Sequence, residues 1–177
     1  VLTLYLLLFI LFLLIFSYTF WQVYINFFQP GAVYYPSSEY TVKQILKLAK
    51  INKKDTLIDL GSGDGRILIA AAKLGIFSIG YEINPFLVWK SRRLIYKSKL
   101  DKRAIVYWKS FWKADFKKAT VITVYLLPNL MNKLQYLLEK KIQHPVKIIV
   151  NDYPFTKLTP TKSYKNVYLY HLNFKKN

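Results

Sequence analysis

The hydrophobic pattern opens with a long apolar run, Val1 to Phe28, whose first 21 residues contain only Thr3, Ser17 and Thr19 as polar interruptions. Those hydroxyls can bond back to helix carbonyls. About 20 apolar residues span the ~30 Å hydrocarbon core of a bilayer, so the pattern predicts a transmembrane anchor over residues 1–28. A cleaved signal peptide is the competing reading. The run lacks a basic leading segment, exceeds the usual apolar length of such peptides, and ends in Trp21, Tyr24 and Phe27 rather than in small residues. An uncleaved anchor is therefore the expectation.

Residues 29–38, QPGAVYYPSS, break the helix with Pro30, Gly31 and Pro36, and read as a linker whose Tyr34 and Tyr35 suit the membrane interface. Ser37 or Ser38 can cap a helix over 39–50, with Val42, Ile45, Leu46 and Ala49 as its apolar stripe. From there the period alternates. Strands are predicted at 56–60, 77–81, 104–107, 120–125, 146–150 and 167–174, and helices at 66–74, 85–98 and 129–141. Residues 156–158 read as a short strand or an extended loop. Strands alternating with helices predict a Rossmann-like α/β domain over 39–177, its mostly parallel sheet closed by an antiparallel edge.

Charge sharpens this division, because all 27 Lys and Arg and all 9 Asp and Glu follow residue 38. The net charge of +18 thus belongs to the segment after the anchor, which the positive-inside tendency assigns to the cytoplasmic side, or to the matrix in an organelle. Such a domain also suits anionic headgroups of a membrane lipid bilayer. Lys exceeds Arg by 23 to 4, which argues against a nucleic-acid reader built on bidentate base contacts. The absence of Cys excludes disulfides and thiolate metal sites, and His144 and His171 stand alone, so no metal is expected. No GxxxG pattern in the anchor argues for a dimer, and the oligomeric state stays open.

The candidate chemistry lies in residues 55–85, DTLIDLGSGDGRILIAAAKLGIFSIGYEINP. A strand ends at Asp59-Leu-Gly61-Ser62-Gly63-Asp-Gly65, a helix follows, and a second strand delivers Glu82, with Ile83 behind it. Strand ends of open α/β sheets are where ligands bind. A nicotinamide fingerprint starting at Gly61 needs glycine where this chain has Arg66, and a Walker A ending is absent. What remains is a nucleoside-cofactor site, with Glu82 placed to accept from vicinal ribose hydroxyls. Glycines that only tighten a structural turn are the plainer reading.

DLGSGDGR followed by GYEINP resembles class I S-adenosyl-L-methionine-dependent methyltransferases. More narrowly, the chain resembles the membrane-anchored protein-lysine methyltransferases that include the mitochondrial enzymes acting on the ATP synthase c-subunit and on the adenine nucleotide translocase. The likeness extends over the anchor, Tyr35-Pro36, residues 59–66, residues 80–88, Phe111-Trp112-Lys113 and residues 128–131. It implies S-adenosyl-L-methionine as cofactor, its methionine part at Asp59 to Gly65, its ribose at Glu82, and its adenine beside Ser110, Phe111 and Trp112. At Ser110 the family pattern usually has a carboxylate. After the fourth strand the chain has Tyr125-Leu-Leu-Pro128-Asn129 instead of the Asn/Asp-Pro-Pro-Tyr run of enzymes methylating base or glutamine nitrogens. The resemblance places substrate contacts at Pro128, Asn129 and Trp112, and in the segment from Asn151 to Phe155.

Methyl transfer asks for positioning more than covalent participation, and a lysine acceptor must first lose its proton, which desolvation favours. Asp152, Tyr153 and Tyr125 are the candidates to orient that amine, although each also suits a turn or core role. The expected function is N-methylation of lysine in an integral or membrane-associated protein. A lipid or quinone-precursor methyltransferase and a non-catalytic membrane-tethered scaffold are the alternatives.

Overall fold

The computed structural model describes residues 2–28 and 34–172, with side chains for all of these except 25–28. Helix α1, Leu2–Phe28, contains a stretch, Leu2–Tyr24, long and apolar enough to cross a membrane. Its 23 residues rise about 35 Å. Apart from the half-buried Gln22, the residues of that stretch are exposed, so its apolar surface is left for lipid. The Ser17 and Thr19 hydroxyls donate to the Leu14 and Phe16 carbonyls, which removes their polarity from the helix surface. The first half of the anticipated linker, residues 29–33, lies outside the described set.

Helix α2, Glu39–Leu48, is capped by Ser38, whose Oγ accepts from the Thr41 amide at 3.0 Å. Such a cap stabilises a helix by about 1 kcal/mol. The following elements are β1 (Thr56–Leu60), α3 (Arg66–Lys73), β2 (Phe77–Glu82), α4 (Pro85–Lys97), β3 (Ala104–Trp108), β4 (Val121–Val124), α5 (Pro128–Lys141), β5 (Val146–Asn151), β6 (Lys162–Tyr164) and β7 (Val167–Leu172). The strands form one sheet in the order β3-β2-β1-β4-β5-β7-β6. β1 to β5 run parallel, and β7 is antiparallel to both β5 and β6.

The expected alternation is present, with a difference at the sheet edge. Residues 156–158 form no strand, and the edge strand is Lys162–Tyr164, folded back on β7 through a two-residue turn in which Lys165 takes φ 50°. Between β3 and β4 no α-helix forms; only a 3-10 turn, Phe111–Lys113, interrupts an extended segment. The expected last strand runs to Leu172, beyond which residues 173–177 lie outside the described set.

Two cores sandwich the sheet. On one face Leu57, Val121 and Ile149 pack against Ile45, Leu68 and Val88 from α2, α3 and α4. On the other, Ile58, Ile122 and Ile148 pack against Leu130, Leu134 and Leu138 of α5, with Phe111 and Phe116 filling the place of a missing helix. Strand β1 is buried on both faces except at its first residue, as a central parallel strand must be. That burial fixes the height at which its C-terminal end releases the glycine loop.

Candidate functional site

The chain leaves β1 at Leu60 and must turn at once into α3. Gly63 and Gly65 do this with φ of 54° and 78°, a left-handed backbone that side chains rarely adopt. A Cβ on Gly65 would run into the Ser91 hydroxyl, so α4 packs directly on the loop. Gly65 caps α3 without a side-chain hydrogen bond, which leaves first-turn N–H groups facing the loop. The Gly61 and Ser62 amides both donate to the Tyr81 carbonyl, tying the loop to β2.

At the end of β2 the Glu82 carboxylate turns into this crevice. Oε2 accepts from the Gly63 amide at 2.9 Å, and Oε1 accepts from the Ile83 and Asn84 amides at 2.8 Å each. Burial pushes its carboxyl up, and these three donors pull it back. A carboxylate has about four acceptor sites, so the three amides leave room for a hydroxyl. Across the crevice, Asp59 is buried between β2 and β4 and accepts from the Thr123 hydroxyl at 2.7 Å. Desolvation raises its carboxyl to about 7, with the Glu82 and Asp64 charges adding to the rise and the Thr123 hydroxyl opposing it.

These groups line a cavity of about 630 Å³, a size suited to a small-molecule ligand. Of the residues singled out in the sequence, Asp59, Gly61, Ser62, Gly63, Glu82, Ile83, Phe111, Tyr125, Asp152 and Tyr153 line it. Gly65, Ser110, Trp112, Pro128 and Asn129 are outside that lining. Gly65 shapes the turn from behind. Pro128 begins α5 with Asn129, both exposed next to the lining residues Leu126 and Leu127. Trp112 packs against Phe111 with ring centroids 4.6 Å apart and planes tilted by 42°, and carries Lys133 Nζ 4.8 Å above its ring.

The Ser62 hydroxyl is buried against Gly80 of β2 and has no hydrogen-bond partner among the described residues. Helix amides without a side-chain cap, opposite two carboxylates, fit a ligand that carries a carboxylate, an amine and sugar hydroxyls. S-adenosyl-L-methionine has all three.

At the other end of the cavity, Asp152 holds φ 68° after β5. Its Oδ1 accepts from Asn166 Nδ2 at 3.0 Å, and its amide donates to the Asn166 carbonyl at 2.7 Å. Burial, followed by the hydrogen bond and charge of Asp152, pushes the Tyr125 phenol well up. Tyr125 therefore stays protonated at neutral pH and lines the cavity with its hydroxyl.

Sequence reasoning missed the residues before α2. Gln22, Tyr34, Tyr35, Pro36 and Ser37 all line the cavity. Tyr34 and Tyr35, expected at the membrane interface, are among the residues that line the site. The Tyr34 ring lies against Gly63, and its phenol is pushed up by burial and by Asp64. Tyr35 meets Tyr125 edge to face at 6.2 Å. Arg66, noted only because it broke a nicotinamide fingerprint, forks onto both Asp64 oxygens at 2.9 and 2.8 Å and also donates to the Ser37 carbonyl. The one available signal was the pairing of Asp64 with Arg66 two residues apart.

The strand order, the antiparallel β7 and the glycine crevice closed by an acid on β2 define a Rossmann-like class I methyltransferase fold. A solved RNA methyltransferase from Salinibacter ruber, in complex with S-adenosyl-L-homocysteine, superposes with a TM-score of 0.76 at 30% identity, over 81% of this chain and 97% of that one. Residues 59–162 match the model of the ANTKMT methyltransferase domain, and the chain belongs to that family. It is 37% identical to the ATP synthase C-subunit lysine N-methyltransferase of Homo sapiens over 68% of this chain and 52% of that protein. It is 32% identical to a protein-lysine N-methyltransferase of Saccharolobus islandicus (strain REY15A), over 80% of this chain and 94% of that protein. The chain spans about half the length of the vertebrate ATP synthase-modifying enzymes it matches.

Proposed function

We propose that the chain is an S-adenosyl-L-methionine-dependent N-methyltransferase that modifies a lysine of a membrane-associated protein. In this reading residues 39–177 form the catalytic domain, joined by residues 29–38 to the anchor and held on the cytoplasmic or matrix side. The observation that carries it is the composition of the cavity wall. Gln22 of α1 and Tyr34 to Ser37 line the same space as Asp59, Ser62 and Glu82, so the cofactor-sized cavity opens beside the end of the anchor. An acceptor embedded in the same bilayer meets that opening at high effective concentration. The relatives named above as lysine N-methyltransferases support the acceptor class.

Bound S-adenosyl-L-methionine supplies an electrophilic methyl group on a sulfonium. Glu82 would accept from a ribose hydroxyl, the first amides of α3 would hold the carboxylate, and Asp59 would offer the cationic end an acidic wall. Phe111 gives the adenine an apolar wall. Tyr125, Tyr153 and Asp152 surround the acceptor: the phenols present hydrogen-bonding oxygens to a lysine Nζ and the apolar mouth favours its neutral form.

The test is incubation of native membranes with methyl-labelled cofactor, followed by separation of protein, lipid and RNA and mass mapping of the labelled fraction. Label on protein lysine, lost with Glu82→Ala, is the expected result. Label in extracted lipid or in RNA, the latter being the substrate class in the name of the Salinibacter relative, overturns the lysine assignment. Cofactor binding by folded protein with every fraction unlabelled overturns the transferase reading.

A further inference from the structure

Helix α4 leaves the site carrying a surface the proposed reaction does not use. Its exposed side presents Phe86, Trp89, Arg93 and Tyr96 at spacings of three, four and three, which places them on one face. Phe86 is 49% exposed, Trp89 53% and Tyr96 76%. Beside them Trp108, at the end of β3, is 60% exposed and donates from Nε1 to the Ile83 carbonyl at 2.9 Å, so its ring is held on the surface. Phe86 and Trp89 pack with centroids 5.7 Å apart, and the Arg93 guanidinium lies 5.3 Å from the Trp89 ring centre. Arg92 spans a shallow groove between Trp89 and Trp108 and donates to the Val106 carbonyl at 2.8 and 3.0 Å.

Soluble surfaces rarely collect this much aromatic area. The charge is equally one-sided, since α4 carries Lys90, Arg92, Arg93 and Lys97 and no carboxylate. Indoles and phenols interleaved with cations are the composition of a headgroup-layer surface.

The position of the patch identifies what covers it. Asn84, the N-cap of α4, donates from Nδ2 to Gln22 Oε1 at 3.3 Å, and Gln22 lies two residues from the end of the membrane-spanning stretch. The first turn of α4 therefore starts at the level where α1 leaves the hydrocarbon. We infer that the Phe86, Trp89, Arg93, Tyr96 and Trp108 face is a second bilayer contact, seated on anionic lipid headgroups of the leaflet from which α1 emerges. It fixes the rotation of the domain about its anchor, which one helix alone leaves free, and so aims the cavity mouth along the membrane. The inference needs only the spanning helix and does not depend on which molecule is methylated.

The chain has no cysteine, so single thiols can be introduced for labelling. Tyr96→Cys and, as a reference on α5, Tyr136→Cys are nitroxide-labelled in the full chain and reconstituted into phosphatidylserine-containing vesicles; both native side chains are exposed. The expected result is a label at 96 that oxygen relaxes more than a water-soluble nickel chelate does, and a label at 136 with the opposite preference. Adding Arg93→Glu should move the label at 96 toward water. Equal aqueous accessibility at the two sites overturns the inference. A label at 96 that stays aqueous on vesicles but is immobilised by added single-stranded RNA overturns it in favour of a nucleic-acid surface.

Discussion

Asp59 is the residue whose environment departs most from its type. With its carboxyl raised to about 7 from the ordinary value of 3.8, the native state holds a proton that the unfolded chain has released. The stabilisation from that proton is complete below about pH 4 and is lost as pH rises through about 7. Asp59→Asn should flatten this decline, which urea unfolding across that range measures. A cation brought into the cavity lowers the same carboxyl, so binding of a sulfonium cofactor should release up to about half a proton at pH 7, where that carboxyl is half protonated. Calorimetry in buffers of different ionisation enthalpy detects the release, and Asp59→Asn should abolish it. The sequence marked Asp59 and Glu82 as the acids of the crevice because their strand-end positions are local facts. It could not show that the Glu82 carboxylate gathers three backbone amides, nor that the Ser62 hydroxyl is buried against Gly80, since both depend on how β2 lies against the loop.

Among the elements, the βαβ unit and the later α/β alternation were legible because each buried strand is a short apolar run bounded by turn residues. The edge hairpin was not. Lys162–Tyr164 is exposed along its length, and its turn is Lys165-Asn166 rather than an Asn-Gly or Asp-Gly pair, so neither hydrophobic alternation nor turn chemistry announces it. The packing role of Gly80 was equally silent. A Cβ there would stand 2.5 Å from the Ser62 hydroxyl and 2.6 Å from Leu68 Cδ1, so β2 approaches the loop and α3 as closely as a glycine allows. Gly80→Ala should therefore cost about 1–3 kcal/mol of stability by overpacking. It should also weaken cofactor binding, because the loop must shift to admit the methyl group. A thermal melt and a binding titration on the same variant check both effects.

For the whole molecule, composition alone separated anchor from domain, since no charged side chain precedes residue 39. Nothing in the composition showed that the two share a wall. That wall is braced by Arg66, which grips Asp64 in the loop and the Ser37 carbonyl before α2. Arg66→Ala should leave the sheet intact and still weaken cofactor binding by about tenfold, the effect of losing roughly 1–2 kcal/mol of charge-assisted hydrogen bonding to a backbone carbonyl. A circular dichroism spectrum alongside the titration separates loss of the brace from loss of the fold.

The contact between Tyr34 and Gly63 has a consequence at the scale of the membrane. The segment that presses this ring onto the loop descends to a spanning stretch of fixed length, about 35 Å if upright. A bilayer whose hydrocarbon layer is thinner or thicker than that stretch tilts it or draws it inward. Either motion pulls on the roof of the cavity, so lipid chain length becomes an allosteric variable: the same protein should hold its cofactor with different affinity in short-chain and long-chain phosphatidylcholine.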